Sequence, residues 1–198
     1  MGCGRTADDL LAELLRGRGM AEPPGDAHAE LALDFRSAVV GGSHELGFDD
    51  GRRITVRIPP GVRDGETIRL AGQGTAGRGG AGDLWIALRV GPHPVFRRDG
   101  EDLHVDVPIT VGEAIRGGTV PVPTPTGTVE LKVPAGTQSG RTLRVRDRGV
   151  TRRGQPPGHL YVHVVVQVPE GADERAVQAI EASYPGDVRE SLFRRAAA

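Results

Sequence analysis

The chain has 198 residues, with 25 Lys and Arg against 26 Asp and Glu, and its net charge is −1 at pH 7. A chain so close to neutral has no overall basic field to draw it to nucleic acid or to an anionic membrane. Its single cysteine, Cys3, excludes an intrachain disulfide and a multi-cysteine zinc site. The sequence has no apolar run of about 18 residues and no secretory signal, so we expect a soluble, cytoplasmic protein.

Residues 1–27 are predicted to be a leader, mostly disordered, before the first folded domain. Asp8 to Leu15 could form a short helix capped by Asp8 or Asp9. A run rich in Gly and Pro follows it and is typical of a linker.

Short alternating runs separated by Gly, Pro and Asp begin near residue 28, at the spacing typical of all-β domains. Phe35–Val40 is predicted to be a short helix that Gly41 closes. Pro59 and the pair Asp64-Gly65 then mark turns between strands. The strands predicted for this part of the chain lie near residues 29–33, 44–48, 54–58, 67–70 and 84–90.

The second half of the chain repeats the first. Residues 54–90 and 129–166 share one pattern, in which Pro59 and Gly61 recur 75 positions later and Trp85 recurs 76 positions later as Tyr161. The upstream residues Ala38, Gly41 and Gly42 likewise match Ala114, Gly117 and Gly118. A repeat of this length is about one small domain and is longer than a solenoid unit.

We therefore predict an all-β fold: two tandem small β-sandwich domains, each with a short helix, plus a short C-terminal helix. The second short helix is expected near Gly112–Arg116, and the spacing of Val177, Ile180 and Tyr184 predicts the terminal helix, which Pro185 stops. The predicted segments are a first domain at 28–102, a second domain at 103–170, and a C-terminal helix and tail at 171–198.

No motif predicts an enzyme, a cofactor or a metal site. Residues 72–77 spell GxGxxG, but a strand follows where a dinucleotide site needs a helix, so a hairpin loop is the better interpretation. His159 and His163 on a strand would lie about 13 Å apart, at ~3.3 Å per residue, which is too far to share one ion. The arginines between Arg144 and Arg153 could contact nucleic acid, or could simply form a solvated sheet face.

Apolar residues on two predicted strands support two interpretations. Ala29 and Leu31 on one strand, with Leu46 and Phe48 on the other, could border a shallow groove beside an unpaired strand edge. An extended peptide would bind there by adding a strand, with its side chains in alternate pockets. The alternative is that these residues fill the core. Three further aromatic residues are expected to pack in the core: Phe35, Trp85 and Tyr161.

Several of these stretches resemble the C-terminal substrate-binding region of DnaJ-type (J-domain) co-chaperones. The resemblance covers residues 28–183, and the family fold of two tandem β-sandwich domains with a C-terminal dimerisation segment agrees with the repeat. The matching stretches are LDFRSAVVGG (33–42), VRIPPGVRDGETIRLAGQG (56–74), GDLWIALRVGPHPVFRRDGEDL (82–103), ITVGEAIRGG (109–118), VPAGTQSGRTLRVRDRGV (133–150) and GHLYVHVVVQVP (158–169).

The resemblance implies a chaperone that binds extended apolar segments of unfolded polypeptides and presents them to an ATP-dependent heat-shock chaperone. His44 stands where the family often has a lysine that contacts the acidic tail of that partner. The peptide-binding residues implied by the resemblance are Ala29, Leu31, His44, Leu46 and Phe48, with Phe96 nearby. A homodimer is also implied, with Val177, Ile180 and Tyr184 of the terminal helix in the dimerisation segment.

Two departures from the family limit what is implied. The 198 residues contain no J domain, since Val95 follows His93-Pro94 where the J domain has His-Pro-Asp, so stimulation of the partner's ATPase is not carried over. The cysteine-rich zinc module is also missing, as in the zinc-free class. We expect either a fragment or a naturally J-less chain. Two rival functions are a DNA-associated protein, against which the net charge argues, and an assembly module that pairs through sheet edges without clients.

Overall fold

A computed structural model describes residues 25–48, 51–77, 80–171 and 173–189. The predicted helix at 8–15 lies outside the described residues, as does most of the predicted leader. The described residues are mostly strands with three short helices, which confirms the predicted all-β class. The strands are β1 (Ala27–Leu33), β2 (Gly42–Gly47), β3 (Arg53–Ile58), β4 (Thr67–Leu70), β5 (Ala76–Gly77), β6 (Gly80–Ala81), β7 (Leu84–Val90), β8 (Phe96–Asp99), β9 (Asp102–Thr110), β10 (Gly118–Thr124), β11 (Gly127–Val133), β12 (Thr142–Val145) and β13 (Leu160–Gln167). The helices are α1 (Phe35–Val40), α2 (Val111–Arg116) and α3 (Glu174–Glu181).

The chain forms two compact units. The first comprises the described residues up to Val105 together with Pro123–Gly127 and Arg144–Tyr161. The second comprises the intervening segments and the described residues from Val162 onward. The boundary expected between residues 102 and 103 stays a prediction. No helix among the described residues is long and apolar enough to cross a membrane.

The sheets repeat one strand order. One sheet has the order β1-β7-β4, with β1 parallel and β4 antiparallel to β7. The repeat-equivalent strands occur as β9-β13-β12, and β8 pairs antiparallel with the far side of β9. β2 pairs with β3, and β10 with β11, as separate two-stranded sheets. The GxGxxG loop forms the small antiparallel pair β5-β6, which confirms the hairpin and not a nucleotide-binding helix.

Strand alternation decides which side chains fill the first core. Leu84, Ile86 and Leu88 on β7 are all 0% exposed. Because neighbouring strand residues point to opposite faces, Trp85 lies half-buried on the outer face. Its indole N–H donates to Asp26 at 3.2 Å.

The prediction that Trp85 and Tyr161 are core residues is therefore wrong. Tyr161 occupies the same outward position on β13, half-buried, with its ring centroid 5.2 Å from that of His104. An outward strand position between buried neighbours is only partly covered, whatever the size of the side chain. Phe35 is 7% exposed and confirms its predicted burial.

Both short helices in the repeats have a side-chain cap at the N-terminus and a glycine after the C-terminus. Asp34 caps α1 by accepting the Ser37 N–H at 2.6 Å, and this hydrogen bond is the main reason that the pKa of Asp34 lies below its usual range. Thr110 and Glu113 form a reciprocal capping box on α2. Gly41 and Gly117 follow the two helices with φ of 77° and 73°. Both helices begin and end within a residue of their predicted positions.

Candidate functional site

Four of the predicted peptide-binding residues pack onto one core in the first unit. On β1, Ala29 lies opposite Ile86 of β7. Leu31 follows two positions later on the same face. Leu46 on β2 and Phe48 just after it pack against the same buried cluster. We call Ala29, Leu31, Leu46 and Phe48 the first-unit apolar cluster.

The members of this cluster are only partly removed from solvent. Leu31 is 8% exposed, whereas Ala29, Leu46 and Phe48 are half-buried at the margin of the core. A side chain in this position contributes to the core and still presents apolar surface that a partner can cover. The two interpretations of these residues, core and binding surface, are therefore compatible.

Each strand of the cluster also has an unpaired side. Among the described strands, β1 pairs only with β7 and β2 only with β3. An edge strand presents a row of backbone N–H and C=O groups that can pair with another strand. Unpaired backbone beside half-buried apolar side chains is the arrangement that an added strand requires.

His44 and an arginine that the sequence analysis missed flank this cluster. His44 is half-buried on β2, opposite Val56. The guanidinium carbon of Arg52 lies 5.2 Å from the centroid of the Phe48 ring, within cation–π range. The turn brings the two together, since the Phe48 N–H donates to the Arg52 carbonyl at 2.9 Å. The sequence did carry a signal for this contact, since the arginine follows the aromatic residue by four positions with a turn between them.

Phe96 belongs to a different cluster of the first unit. It is 7% exposed, and its ring stacks on that of Phe35 with centroids 6.1 Å apart. The His93 ring lies 5.0 Å from the Phe96 ring, and its Nδ1 accepts the Val95 and Phe96 N–H groups. The structure thus places Phe96 against α1 and not in the first-unit apolar cluster.

An ionic network that the sequence analysis also missed holds this segment. The Arg98 guanidinium donates to the carbonyl oxygens of Gly61 at 2.9 Å and Val62 at 2.7 Å. It also bonds the Glu101 carboxylate, whose other oxygen lies 2.7 Å from Arg63. Burial lowers the pKa of Arg98, and attraction to Glu101 partly offsets this effect. Gly61 and Val62 lie 37 and 36 positions before Arg98, and Arg63 lies 38 positions before Glu101, so no local pattern reveals these contacts.

The three residues predicted for dimerisation lie on and after α3 in the second unit. Val177 is half-buried, while Ile180 and Tyr184 are 41% and 56% exposed. Ile180 and Tyr184 line a cavity of about 440 Å³ together with residues of α2. The dimerisation segment stays a prediction.

The histidines and arginines singled out in the sequence have ordinary structural surroundings. His159 accepts the Asp147 N–H at 3.2 Å, and His163 lies 3.0 Å from the Thr142 hydroxyl. Arg144 is exposed on β12. In the part of the chain that the structure describes, no cluster of three His, Cys, Asp or Glu side chains could hold a metal ion.

Comparison with known proteins identifies the family. Residues 27–169 match the family model of the DnaJ C terminal domain. The chain is 54% identical over 132 residues to Chaperone protein DnaJ 2 of Nocardia farcinica, an alignment that covers 66% of this chain and 34% of the relative. It is 53% identical over 144 residues to Chaperone protein DnaJ 2 of Mycolicibacterium paratuberculosis (72% and 36%), and 49% identical over 152 residues to Chaperone protein DnaJ 1 of Streptomyces coelicolor (73% and 38%). The matches span about a third of the length of these curated relatives. The chain belongs to the DnaJ C-terminal domain family.

Proposed function

We propose that this chain binds extended apolar segments of unfolded polypeptides and delivers them to an ATP-dependent heat-shock chaperone, without catalysing a reaction. The observation that carries the proposal is the position of three half-buried apolar residues: Ala29 on β1, Leu46 on β2 and Phe48 directly after β2. Each of these two strands has an edge unpaired by other described strands. A client strand would pair with such an edge while its apolar side chains cover these residues. The chaperone names of the relatives support the same function.

Several narrower parts of the proposal rest on the family alone. They are delivery to the partner chaperone, in which His44 would contact its acidic tail, a homodimer formed through α3, and a cytoplasmic location. Phe96 would act through its packing on α1, since it lies apart from the first-unit apolar cluster.

The test is suppression of aggregation of a chemically denatured model client, with the wild type compared with the double variant Leu46→Ser/Phe48→Ser. We expect the variant to lose most of the protection, because two hydroxymethyl groups replace the apolar surface that clients would cover. Trp85 fluorescence and far-UV circular dichroism must show that the variant remains folded, since both residues touch the core.

A matched control removes apolar surface elsewhere. Val165→Ser/Val168→Ser changes two exposed valines, 45% and 72% exposed, and should leave protection unchanged. Absence of protection by the wild type would refute client binding. A steeply salt-dependent affinity for DNA would then favour the DNA-associated rival. Protection that survives the Leu46→Ser/Phe48→Ser change would move the client site away from the first-unit apolar cluster.

A further inference from the structure

An open groove with a basic lining lies where β2 begins and β3 ends in the first unit. Its volume is about 830 Å³, and none of the described residues that line it is acidic. Two arginines line it, Arg57 on β3 and Arg153. Apolar surface comes from Val40, which is 42% exposed, and from the exposed Pro60. We call the surface formed by these four residues and Ser43 the basic groove.

Strand alternation places the first arginine on the outer face of the β2–β3 pair. Arg57 lies opposite Ser43 in the register, and both are exposed. Val56, one position earlier, is 0% exposed, so the side chain of Arg57 points away from the core. The same outer face carries Arg53 and Glu45, which pair with each other at 3.9 Å. Arg57 is therefore the charge on this face that its neighbours leave uncompensated.

A distant loop brings the second arginine to the same place. Residues 150–152 pack against the turn at Gly61, and Arg152 fixes the loop through a 2.9 Å ion pair with Glu66. Arg153 follows and is exposed. Unlike Arg152, it has no hydrogen-bond or ion-pair partner among the described residues, and the same is true of the arginine on β3. Two unpaired guanidinium groups thus converge on the basic groove.

A client strand added to the free edge of β2 would pass this groove. The side chains of such a strand alternate between the first-unit apolar cluster and the outer face of the β2–β3 pair. An outward-facing client residue opposite Ser43 lies two strand spacings from Arg57, about 10 Å between backbones. A glutamate and an arginine side chain together span this distance. Val40 and Pro60 offer apolar surface to the methylene groups of the glutamate.

We propose that the basic groove selects among clients, favouring extended segments that carry a carboxylate on the outward face near the start of β2. The inference rests on the proposed client binding and specifies the class of client that binds. The net charge of −1 gives the chain no wide basic field, whereas nucleic acid requires contacts to many phosphates. Two arginines beside apolar side chains suit an acidic segment of polypeptide.

The experiment measures binding of two fluorescein-labelled peptides to the full chain by fluorescence anisotropy. In the Ser peptide, leucine alternates with serine over ten positions. In the Glu peptide, two neighbouring serines of that alternation are replaced by glutamate. We expect the Glu peptide to bind about three- to tenfold more tightly at low ionic strength, as two exposed ion pairs allow. This advantage should shrink at ~1 M salt, where the Debye length is about 3 Å.

Variants assign the advantage to the groove. Arg57→Gln/Arg153→Gln should remove the advantage of the Glu peptide and leave the affinity for the Ser peptide unchanged. Arg57→Lys/Arg153→Lys, which keeps both charges, should retain most of it. The control Arg144→Gln/Arg146→Gln removes the same charge from two exposed positions of the first unit and should preserve the advantage.

Each contrary result has a separate meaning. Equal affinity of the wild type for the two peptides would overturn the selection of acidic clients and leave client binding intact. An equal loss in the Arg144→Gln/Arg146→Gln control would overturn the role of the groove. Failure of both peptides to bind would refute client binding itself, and this inference with it. Tighter binding of a single-stranded oligonucleotide than of the Glu peptide, lost in Arg57→Gln/Arg153→Gln, would reassign the groove to nucleic acid.

Discussion

Replacing Gly41 by alanine tests the close approach of backbone at the end of α1. Gly41 has φ 77° and ψ −179°, a conformation essentially limited to glycine, which costs a residue with a Cβ about 1–3 kcal/mol. A Cβ at this position would also lie 2.8 Å from the Ile58 carbonyl oxygen and 2.8 Å from the Pro60 nitrogen. Backbone atoms cannot rotate away as a side chain can, so the strand end must shift at a further ~1–3 kcal/mol, by analogy with overpacked cores. We expect Gly41→Ala to lower the free energy of unfolding by about 2–6 kcal/mol.

Gly65→Ala measures the cost of a positive φ at a position without a close backbone contact. Gly65 has nearly the same φ, 76°, but nothing lies within 4 Å of the position that its Cβ would take, so its loss should be the conformational ~1–2 kcal/mol alone. Urea unfolding followed by Trp85 fluorescence measures both, because Trp85 is the single tryptophan of the chain and lies in the first unit. Equal losses in the two variants would refute the argument from backbone contact.

Two further perturbations address the ionic network and the capping box. Arg98→Ala should lower the free energy of unfolding of the first unit by about 2–4 kcal/mol, because the buried carbonyl groups of Gly61 and Val62 lose charged donors. Arg98→Lys should recover only part of this lost stability. A loss under about 0.5 kcal/mol for Arg98→Ala, measured by urea unfolding with Trp85 fluorescence, would contradict the prediction. The pKa of Glu113 is lowered from 4.5 chiefly because its carboxylate accepts the Thr110 N–H, so its stabilisation is present above pH 4.5 and is lost as the pH falls through the lower folded-state pKa. The melting temperatures of Glu113→Ala and the wild type, followed by circular dichroism, should therefore differ most at neutral pH, and the difference should shrink as the pH falls below 4.5. A difference that stays the same across this range would argue against the carboxylate as its source.

Local patterns in the sequence determined the elements and their repetition. The helix Phe35–Val40 lies between a capping aspartate and a glycine, so its limits depend on neighbouring residues alone. The strands follow the alternation of apolar and polar residues, and the 75- to 76-residue offset fixed the equivalence of the two halves. Each of these signals acts within a few residues or between copies of one pattern, which is why the all-β class and the short helices could be predicted.

Tertiary structure alone decided which side chains meet. Trp85 and Tyr161 have core-like side chains, but the face of the sheet on which they lie is set by the buried residues beside them. Phe96 could be assigned to a client site by resemblance, yet its neighbour is Phe35, 61 positions away. The bonds of Arg98 to Gly61 and Val62 join residues 37 and 36 positions apart. Alternation and capping act between near neighbours, whereas burial and long-range pairing depend on the path of the whole chain.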